Sequence, residues 1–436
     1  MNRLPLDGIR IVALCPIWAG PFCCMLLADW GAEVIKVESR YHFPVYTRGV
    51  MVRPPLMLAG LMSSKGGYAA YAMEGYDPAT AFNRNALFCA QNRNKLSMTV
   101  DLTRPEGKDI FKRLVKVTDI VVESQAPKVM RQLGLTYDAL KDVKPDLIML
   151  SLPGFGQTGP YQDYRALGAH QEGFGGHTYI RGYMDEELDT NITLYHTDEA
   201  GGTTAAFALL MALHHRRKTG KGQFIDMAQA EAAMCHLPQA FLDYSMNRRI
   251  TERMGNRDYH GAIQGCYRCY GRDDWVAITI VTDQQWQRFC KVLGDPEWSK
   301  DKKFSNPSSR FKNHDEIDRH IEEWTQEMDK YEVMLLLQAE GIAAGPVIDE
   351  RDAFTDKHIK ERRFFEPLNH AEMGTYSYPG ISYRMSKTKN QLRRATCRFG
   401  EDNEYVYKKV IGVSDEEYRV LGMDGHIGTD YIPTLF

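Results

Sequence analysis

Short apolar runs alternate with amphipathic segments over the first part of the chain. Residues 9–14 (IRIVAL) are apolar and end at Cys15-Pro16, and the apolar positions of residues 21–30 recur at helical spacing until Gly31. Residues 34–37 form the next apolar run. A strand, a helix and a strand within about 30 residues are typical of a βαβ unit, whose right-handed crossover builds a parallel sheet.

The same alternation returns further along the chain. Strands are predicted at residues 96–102, 119–122, 147–152 and 223–227, and helices at residues 105–115, 137–143 and 198–217. Strands that alternate with helices favour the α/β class. We therefore predict a doubly wound parallel sheet with helices on both faces.

Two segments break this alternation. Residues 41–91 are rich in Gly, Met, Tyr and Pro without a clear period, which predicts a long surface excursion or an active-site cover. From about residue 247 to residue 341, short aromatic strands alternate with charged amphipathic helices, which predicts a second, smaller α+β domain. The tail after residue 341 returns to the earlier α/β style.

Composition and charge exclude several classes of protein. The chain is 43% hydrophobic and 25% charged, as in soluble globular proteins, and its net charge of −3 does not favour nucleic acid or an anionic membrane as a partner. No apolar run approaches the roughly 20 residues of a membrane-spanning helix, and residues 1–10 carry no signal-peptide core. We expect a cytoplasmic protein with neither a nucleic-acid nor a membrane partner.

The nine cysteines lack the spacing of a disulfide framework and are expected to be reduced. Cys266 and Cys269 form a CxxC pair in a strand-like segment, but neither a second such pair nor a neighbouring His pair completes a zinc site. We therefore predict no metal.

Two glycine-rich or basic stretches are candidate ligand sites. The run from Gly154 to Gly159 fits GxGxxG, but Pro160 follows and no amphipathic helix begins there, which argues against a dinucleotide site. Residues 92–95 (NRNK), together with Lys128 and Arg131, place cations beside predicted strands. They are either solvated surface residues or, at the same end of the sheet, phosphate ligands.

Polar side chains cluster near a second glycine-rich stretch. His170, Gln171 and Glu172 lie among glycines, which is more typical of a site than of a core. His196 and Asp198 are two residues apart, and either they form an acid–base pair or Asp198 caps the long helix.

Together these stretches resemble the class III CoA-transferases. The matching segments are LDGIRIVAL, AGPFCCMLLADWGAEVIKVE, NRNKLSMTVDLTRPEGKDIF, LSLPGFGQTGPY and LLMALHHRRKTGKGQFIDMAQAEA, followed near the end by GIAAGPVIDERDAF. The resemblance implies a Rossmann-like large domain built from both chain ends, a small central domain and two interlocked chains. The implied bounds are 1–230 and 341–436 for the large domain, which binds coenzyme A, and 231–340 for the small domain with its linkers.

The resemblance also implies the chemistry and the contacts to coenzyme A. In the family, an aspartate attacks an acyl-CoA thioester to give first a mixed anhydride and then an enzyme-CoA thioester. The residues that correspond to CoA contacts, with neighbouring cations as substitutes, are Trp18, Ala19, Arg40, Asn92, Lys95, Ser124, Gln125 and Arg131.

The position that matches the attacking aspartate is Gly168. The glycine that follows eight residues later in the family is present as Gly176, so the alignment has no gap here. The nearest carboxylates in sequence are Glu172 and Asp163, which a site of unchanged geometry would hold too far from the thioester.

This combination resembles the non-catalytic subunit of heteromeric enzymes such as the succinyl-CoA:benzylsuccinate CoA-transferase of anaerobic toluene degradation. It implies an intertwined heterodimer or heterotetramer with a homologous catalytic subunit, acting on an acyl-CoA and a dicarboxylic or aromatic acid. The alternatives are a self-sufficient homodimer that uses Glu172 or another carboxylate, and a CoA-binding pseudoenzyme. The candidates to face the acid are His170, Gln171, His177 and Arg181.

Overall fold

The computed structural model describes residues 3–64, 70–190 and 194–434. The chain divides into two compact units, a large one of Met1–Gly176, Thr193–Pro238 and Arg362–Phe436, and a small one of His177–Ile192 and Gln239–Glu361. The large unit is thus built from both ends of the chain. Compared with the expected bounds, the small unit also contains residues 177–192 and extends to Glu361.

A six-stranded parallel sheet forms the centre of the large unit. Its strands are β1 (Arg10–Leu14), β2 (Glu33–Glu38), β3 (Lys95–Thr99), β4 (Ile120–Glu123), β5 (Ile148–Ser151) and β6 (Gln223–Asp226). Their order is β3-β2-β1-β4-β5-β6, and every pairing is parallel. This order reverses between β1 and β4, as in the predicted doubly wound fold, which is confirmed.

Helices cover both faces of this sheet. Those before the small unit are α1 (Ala19–Asp29), α2 (Leu56–Ser64), α3 (Ala86–Gln91), α4 (Pro105–Lys116), α5 (Pro127–Leu133), α6 (Tyr137–Lys141) and α7 (Gly168–Phe174). One apolar core joins the sheet to α1 and to residues of a long later helix, and a second core joins the other face to α4. Alternate residues of β1 and β4 supply the two cores, since successive strand residues point to opposite faces.

Edge strand β3 is covered by the end of the chain. The carboxylate of Asp402 accepts a hydrogen bond from Ser97 N (2.9 Å), and the Asn403 side chain accepts one from Thr99 N (2.8 Å). Tyr407 donates its hydroxyl hydrogen to Thr99 O (2.7 Å). Side chains therefore take the place of a seventh strand and satisfy an edge that would otherwise be open to another chain.

Residues 41–91 are only in part the surface excursion that their composition predicts. Arg48 is fully buried, paired with the Glu38 carboxylate at 2.7 Å and placed over the Phe88 ring. Phe43, Val52 and Phe82 form a small core beneath the segment. The surface part of the expectation failed because a segment without a regular period can still fold inward when its charged residues find buried partners. The alternative of a cover over the active site is not contradicted.

The small unit has a three-stranded antiparallel sheet. Its strands are β7 (Ile263–Arg268), β8 (Trp275–Ile280) and β9 (Ala343–Val347), in the order β7-β8-β9. The expected domain bounds placed residues from 341 onward in the large domain, but β9 pairs with β8. The α/β style of this stretch does not determine which sheet its strand joins.

The remaining helices and strands complete the two units. They are α8 (His177–Ile180), α9 (His196–Thr219), α10 (Gln229–Met234), α11 (Pro238–Asn247), α12 (Asp283–Val292), α13 (Pro307–Lys312), α14 (His314–Thr325), α15 (Lys330–Ala339), α16 (Glu350–Thr355), α17 (Lys357–Glu361), β10 (Phe365–His370), β11 (Gly374–Pro379) and α18 (Asp415–Met423). Within the described parts of the chain, no helix is both long enough and apolar enough to cross a membrane.

Candidate active site

Gly168 begins α7 and lies on the wall of a cavity of about 240 Å³ in the large unit. The cavity walls are mostly aliphatic and aromatic: Ile17, Trp18, Tyr46, Gly49, Val50, Asn85, Leu87, Leu167, Gly168, Tyr195 and Asp198. The family resemblance therefore places the position of the attacking carboxylate on a real cavity.

Asp198 fills the space that a side chain at position 168 would occupy. A Cβ built on Gly168 would overlap Oδ2 of Asp198 and would lie 3.0 Å from Cδ1 of Tyr195. Gly168 and Asp198 are 30 positions apart in sequence, and nothing in the sequence pattern indicates this contact. The position is thus occupied by a carboxylate from a different helix.

Close packing of two helices brings Asp198 to this place. A Cβ at Gly202 would lie 2.7 Å from Ala19 O, so only glycine lets α9 lie this close to α1. Thr197, one residue before Asp198, donates its hydroxyl hydrogen to Gly168 O at 3.4 Å. The start of α9 is therefore fixed against both α1 and α7.

The Asp198 carboxyl is buried and has an unusual protonation equilibrium. Its residue is 7% exposed, and Oδ1 accepts a hydrogen bond from Gln229 Nε2 at 2.7 Å. Burial raises the pKa of Asp198 to about 6, and nearby Glu172 acts in the same direction, whereas the Gln229 bond opposes both. Burial likewise raises the pKa of the next residue, Glu199, to about 7.

Neither alternative for the pair His196 and Asp198 describes the structure. The N-cap of α9 is Tyr195, in a left-handed conformation with φ of 58°, so Asp198 lies in the first turn and is not the cap. His196 Nδ1 lies 3.2 Å from Glu172 Oε1 and so pairs with a different carboxylate. The sequence marked Asp198 as an acid–base or capping candidate, but gave no sign that its carboxylate lies beside Gly168 on the cavity wall.

The two carboxylates nearest to Gly168 in sequence do not line the cavity. Glu172 is fully buried on α7, where Oε2 accepts a hydrogen bond from Leu194 N at 3.4 Å. Asp163 is exposed and pairs with Arg131 at 2.8 Å. Position 172 lies one turn beyond position 168 on the same face of α7, but its carboxylate is engaged by Leu194 and His196 and does not reach the cavity.

Trp18 lines two cavities. It lines the cavity at Gly168 and also one of about 670 Å³ that includes His196 and Glu199. Its backbone has φ of 40°, which is uncommon for a residue other than glycine, and its ring centroid lies 5.0 Å from that of Tyr195. Ala19 follows as the first residue of α1 and is buried.

A third cavity, of about 490 Å³, lies at the carboxyl ends of the strands. Residues after β1, β2, β3 and β4 line it, including Ser39 and Gln125. Strand order reverses here, and open α/β sheets bind their ligands at such a point. Lys36 also lines this cavity, and its Nζ donates to Cys15 O at 3.1 Å. We did not predict Lys36, although a lysine within the apolar run of β2 is a signal in itself.

Three other predicted CoA contacts, Ser124, Arg40 and Arg131, adjoin residues that line this cavity but do not line it themselves. Ser124 directly precedes Gln125, whose side chain donates to Leu14 O at 3.3 Å. Arg40 directly follows Ser39, and its Nε donates to Asp430 O at 2.9 Å. Arg131, on α5, is engaged by Asp163.

Asn92 and Lys95 lie at the opposite end of the sheet, which corrects the expected placement. Lys95 is the first residue of β3. Because the sheet is parallel, the residues that follow β4 lie at the opposite ends of the strands. Lys95 is 1% exposed, and its ammonium donates to Pro21 O, Gln91 O and Asn92 Oδ1 at 2.7–3.0 Å. Burial lowers the pKa of Lys95 to about 8. This lysine has internal partners in place of a phosphate.

The four residues predicted to face the acid belong to two units. His170 is exposed on α7, and its Nδ1 accepts a hydrogen bond from Leu167 N at 3.2 Å, while Gln171 is buried. His177 and Arg181 are part of the small unit. None of the four lines the cavity at Gly168.

The glycine run after β5 does not begin a helix. Helix α7 starts only at Gly168, and the loop is held by Gln157, whose N donates to Asp226 at 3.0 Å and whose side chain donates to Ser151 Oγ at 2.6 Å. Beside it, burial raises the pKa of Glu123 to about 7. All nine cysteines are free thiols, and the described residues contain no group of three or more His, Cys, Asp or Glu side chains arranged to hold a metal.

The sequence matches a family model described as CoA-transferase family III over residues 6–403. Two similar proteins are the beta and alpha subunits of succinyl-CoA–L-malate CoA-transferase from Chloroflexus aurantiacus. The beta subunit is 29% identical, covering 96% of this chain and 97% of that protein, and the alpha subunit is 28% identical, covering 96% and 92%. A crystal structure of a CAIB/BAIF family protein from Brucella suis superposes with a TM-score of 0.79 at 28% identity, covering 94% of this chain and all of that one.

Proposed function

The chain belongs to CoA-transferase family III, and on that basis we propose that it is one subunit of a heteromeric transferase and does not itself carry the attacking carboxylate. The enzyme transfers CoA from an acyl-CoA, such as succinyl-CoA, to a dicarboxylic or aromatic acid, such as benzylsuccinate. Its place in metabolism is the anaerobic degradation of aromatic compounds in the cytoplasm. A homologous catalytic chain completes an intertwined heterodimer or heterotetramer.

One observation carries this proposal. Gly168 offers no side chain to the cavity, and the Asp198 carboxylate already occupies the volume that an aspartate at position 168 would need. Because a covalent mechanism needs its carboxylate oxygen about 3–3.5 Å from the thioester carbon and aligned with it, a side chain that enters from another helix is a poor replacement. The names of the similar malate enzymes, which are alpha and beta subunits, support the heteromeric assembly.

Coenzyme A would bind at the carboxyl edge of the sheet. Gln125 lines the 490 Å³ cavity there, Ser124 and Arg40 adjoin residues that line it, and Trp18 with Ala19 would lie near the acyl end. The buried positions of Asn92 and Lys95 support a structural role for both, so we leave them out of this proposed site.

The test is covalent trapping on the chain with and without a partner. Purified chain is incubated with succinyl-CoA and then hydroxylamine, and its peptides are mapped by mass spectrometry for a hydroxamate. We expect no modification on this chain, and modification only on a homologous partner that has an aspartate at the aligned position. A hydroxamate on the isolated chain, together with full transferase activity, would overturn the proposal.

The position of Asp198 favours one second candidate, a self-sufficient transferase. Asp198 is a carboxylate on the cavity wall, whereas Glu172 and Asp163 are not. In that case the hydroxamate maps to Asp198 and disappears in Asp198→Asn, while Glu172→Gln and Asp163→Asn retain it. A pure CoA-binding pseudoenzyme would instead bind CoA and show no transfer with any homologous partner.

A further inference from the structure

The cavity at Gly168 presents carbon surface in almost every direction. Trp18, Tyr46 and Tyr195 supply aromatic rings, and Val50 and Leu87 are among its aliphatic residues. Aromatic walls favour flat rings, because offset-stacked and edge-to-face contacts add to the hydrophobic gain. The surface is suited to an apolar planar group.

The size of the cavity fits one ring with a short substituent. Its volume is about 240 Å³. An apolar protein cavity of about 150 Å³ is known to accept benzene. The space is therefore larger than a bare ring requires, but below the roughly 300–1,000 Å³ of pockets that hold drug-sized ligands.

The charge of the cavity opposes an anion. None of the described residues that line it is a lysine, an arginine or a histidine, and the acidic one is Asp198. Asp198 and Glu199 have no lysine or arginine within ion-pair distance in the described chain. A ligand carboxylate placed here would lose water, gain no cation and meet a second carboxyl group.

We propose that this cavity binds an uncharged aromatic ring and that Asp198 excludes carboxylate groups from it. The ring end of an aryl acid enters this chain, while the carboxylate that receives CoA stays outside. Identifying the ring as part of a transferase substrate rests on the proposed function, whereas the binding of a neutral ring does not. For this cavity, aromatic acids are therefore favoured over aliphatic dicarboxylic acids as substrates.

The experiment uses fluorine NMR with the full chain and three probes: 4-fluorobenzyl alcohol, 4-fluorobenzoate and fluorosuccinate. We expect the neutral alcohol to bind at least about tenfold more tightly than either anion, in keeping with the cost of an unpaired buried charge. Asp198→Asn should narrow the difference between the alcohol and the benzoate. The matched control is Glu199→Gln, which removes a neighbouring carboxylate that does not line this cavity and should leave the difference unchanged.

A second pair of variants locates the binding. Val50→Trp places a large side chain in the cavity and should abolish binding of the alcohol, whereas Val45→Trp, at an exposed position outside it, should not. Equal or tighter binding of fluorosuccinate, or unchanged alcohol binding in a folded Val50→Trp, overturns the inference. If Val50→Trp does not fold, the comparison between Asp198→Asn and Glu199→Gln decides alone.

These outcomes are separate from those of the trapping experiment. A chain that binds fluorosuccinate best but still needs a partner for transfer defeats this inference and leaves the proposed function standing. A chain that prefers the alcohol and also carries a hydroxamate defeats the proposed function and leaves the ring-binding cavity standing.

Discussion

Two groups of buried charges in the large unit differ in how they are compensated. Near the amino edge of the sheet, Arg93 pairs with Asp29 at 2.7 Å with both side chains almost fully buried, and Lys95 has three hydrogen-bond acceptors. At the start of α9, Asp198 has one amide donor, Gln229, and no lysine or arginine within ion-pair distance among the described residues. Each charge of the first group has several hydrogen-bond partners, although burial still lowers the pKa of Lys95 to about 8, whereas the Asp198 carboxyl has a single donor.

This difference separates structural charges from functional ones. A buried ion that is fully paired and hydrogen-bonded explains its own presence, whereas a buried acid with a raised pKa beside a cavity is a candidate for a functional role. Cation content alone directed attention to residues 92–95, which turned out to belong to the first group. A buried charge that lacks partners is the better indicator of a functional residue, and only the structure shows whether the partners are present.

Disruption of the buried ion pair between Arg93 and Asp29 should give the largest loss of stability. Arg93→Met leaves the Asp29 carboxylate buried without its partner, and we expect the free energy of unfolding to fall by about 3–5 kcal/mol. Urea unfolding measures the change. Lys141→Met removes a cation from the exposed pair with Asp138, which water screens, and should cost far less. Equal losses in the two variants would contradict the distinction.

The raised pKa of Asp198 should be visible in the pH dependence of the free energy of unfolding. Because the pKa of Asp198 is raised from 3.8 to about 6, the folded state favours the protonated acid, and the free energy of unfolding should fall as pH rises through this range. The expected contribution is about 3 kcal/mol. Asp198→Asn should remove this fall in urea unfolding series from pH 3 to pH 8.

A neighbouring carboxylate supplies the comparison for that profile. The pKa of Glu199 is raised from 4.5 to about 7, so Glu199→Gln should remove a fall located at higher pH. Identical profiles for Asp198→Asn and wild type would mean that Asp198 is better compensated than its surroundings indicate.

An aspartate introduced at position 168 tests the contact between this position and Asp198. Gly168→Asp should destabilise the fold by about 2 kcal/mol, since the new side chain overlaps Asp198, and should yield no hydroxamate. Adding Asp198→Ala should recover part of the stability in a double-mutant cycle. Gly173→Asp, on the same helix with open space around its Cβ position, is the control and should be nearly neutral. Additive effects of the two substitutions would argue against direct contact.

The smallest effect on CoA binding concerns Lys95. Lys95→Met should leave CoA affinity unchanged by isothermal titration, because the ammonium is enclosed, and should lower the free energy of unfolding, since three buried acceptors lose their donor. Gln125→Ala, on the wall of the cavity at the carboxyl edge, should weaken CoA binding instead. Weaker CoA binding in Lys95→Met would restore the assignment made from sequence.

Sequence periodicity predicted the sheet well, because β1, β2, β4 and β5 are apolar runs whose burial depends on local pattern. The family resemblance, and not periodicity, singled out Gly168. It did not predict that Asp198 would fill that position, since the contact depends on the approach of α9 to α1 at Gly202. The sequence analysis also placed Lys95 at the wrong end of the strands, because a short basic run next to a strand does not reveal which end of that strand binds a ligand.

The covering of β3 has a consequence for how the protein is made. Ser97 and Thr99 leave the ribosome about 300 residues before Asp402 and Asn403, the side chains that satisfy their amides. Throughout that interval the nascent chain presents an unprotected strand edge, which is the feature that recruits other chains into aggregates. Slow or interrupted translation of the last part of the message should therefore yield insoluble product rather than a folded fragment.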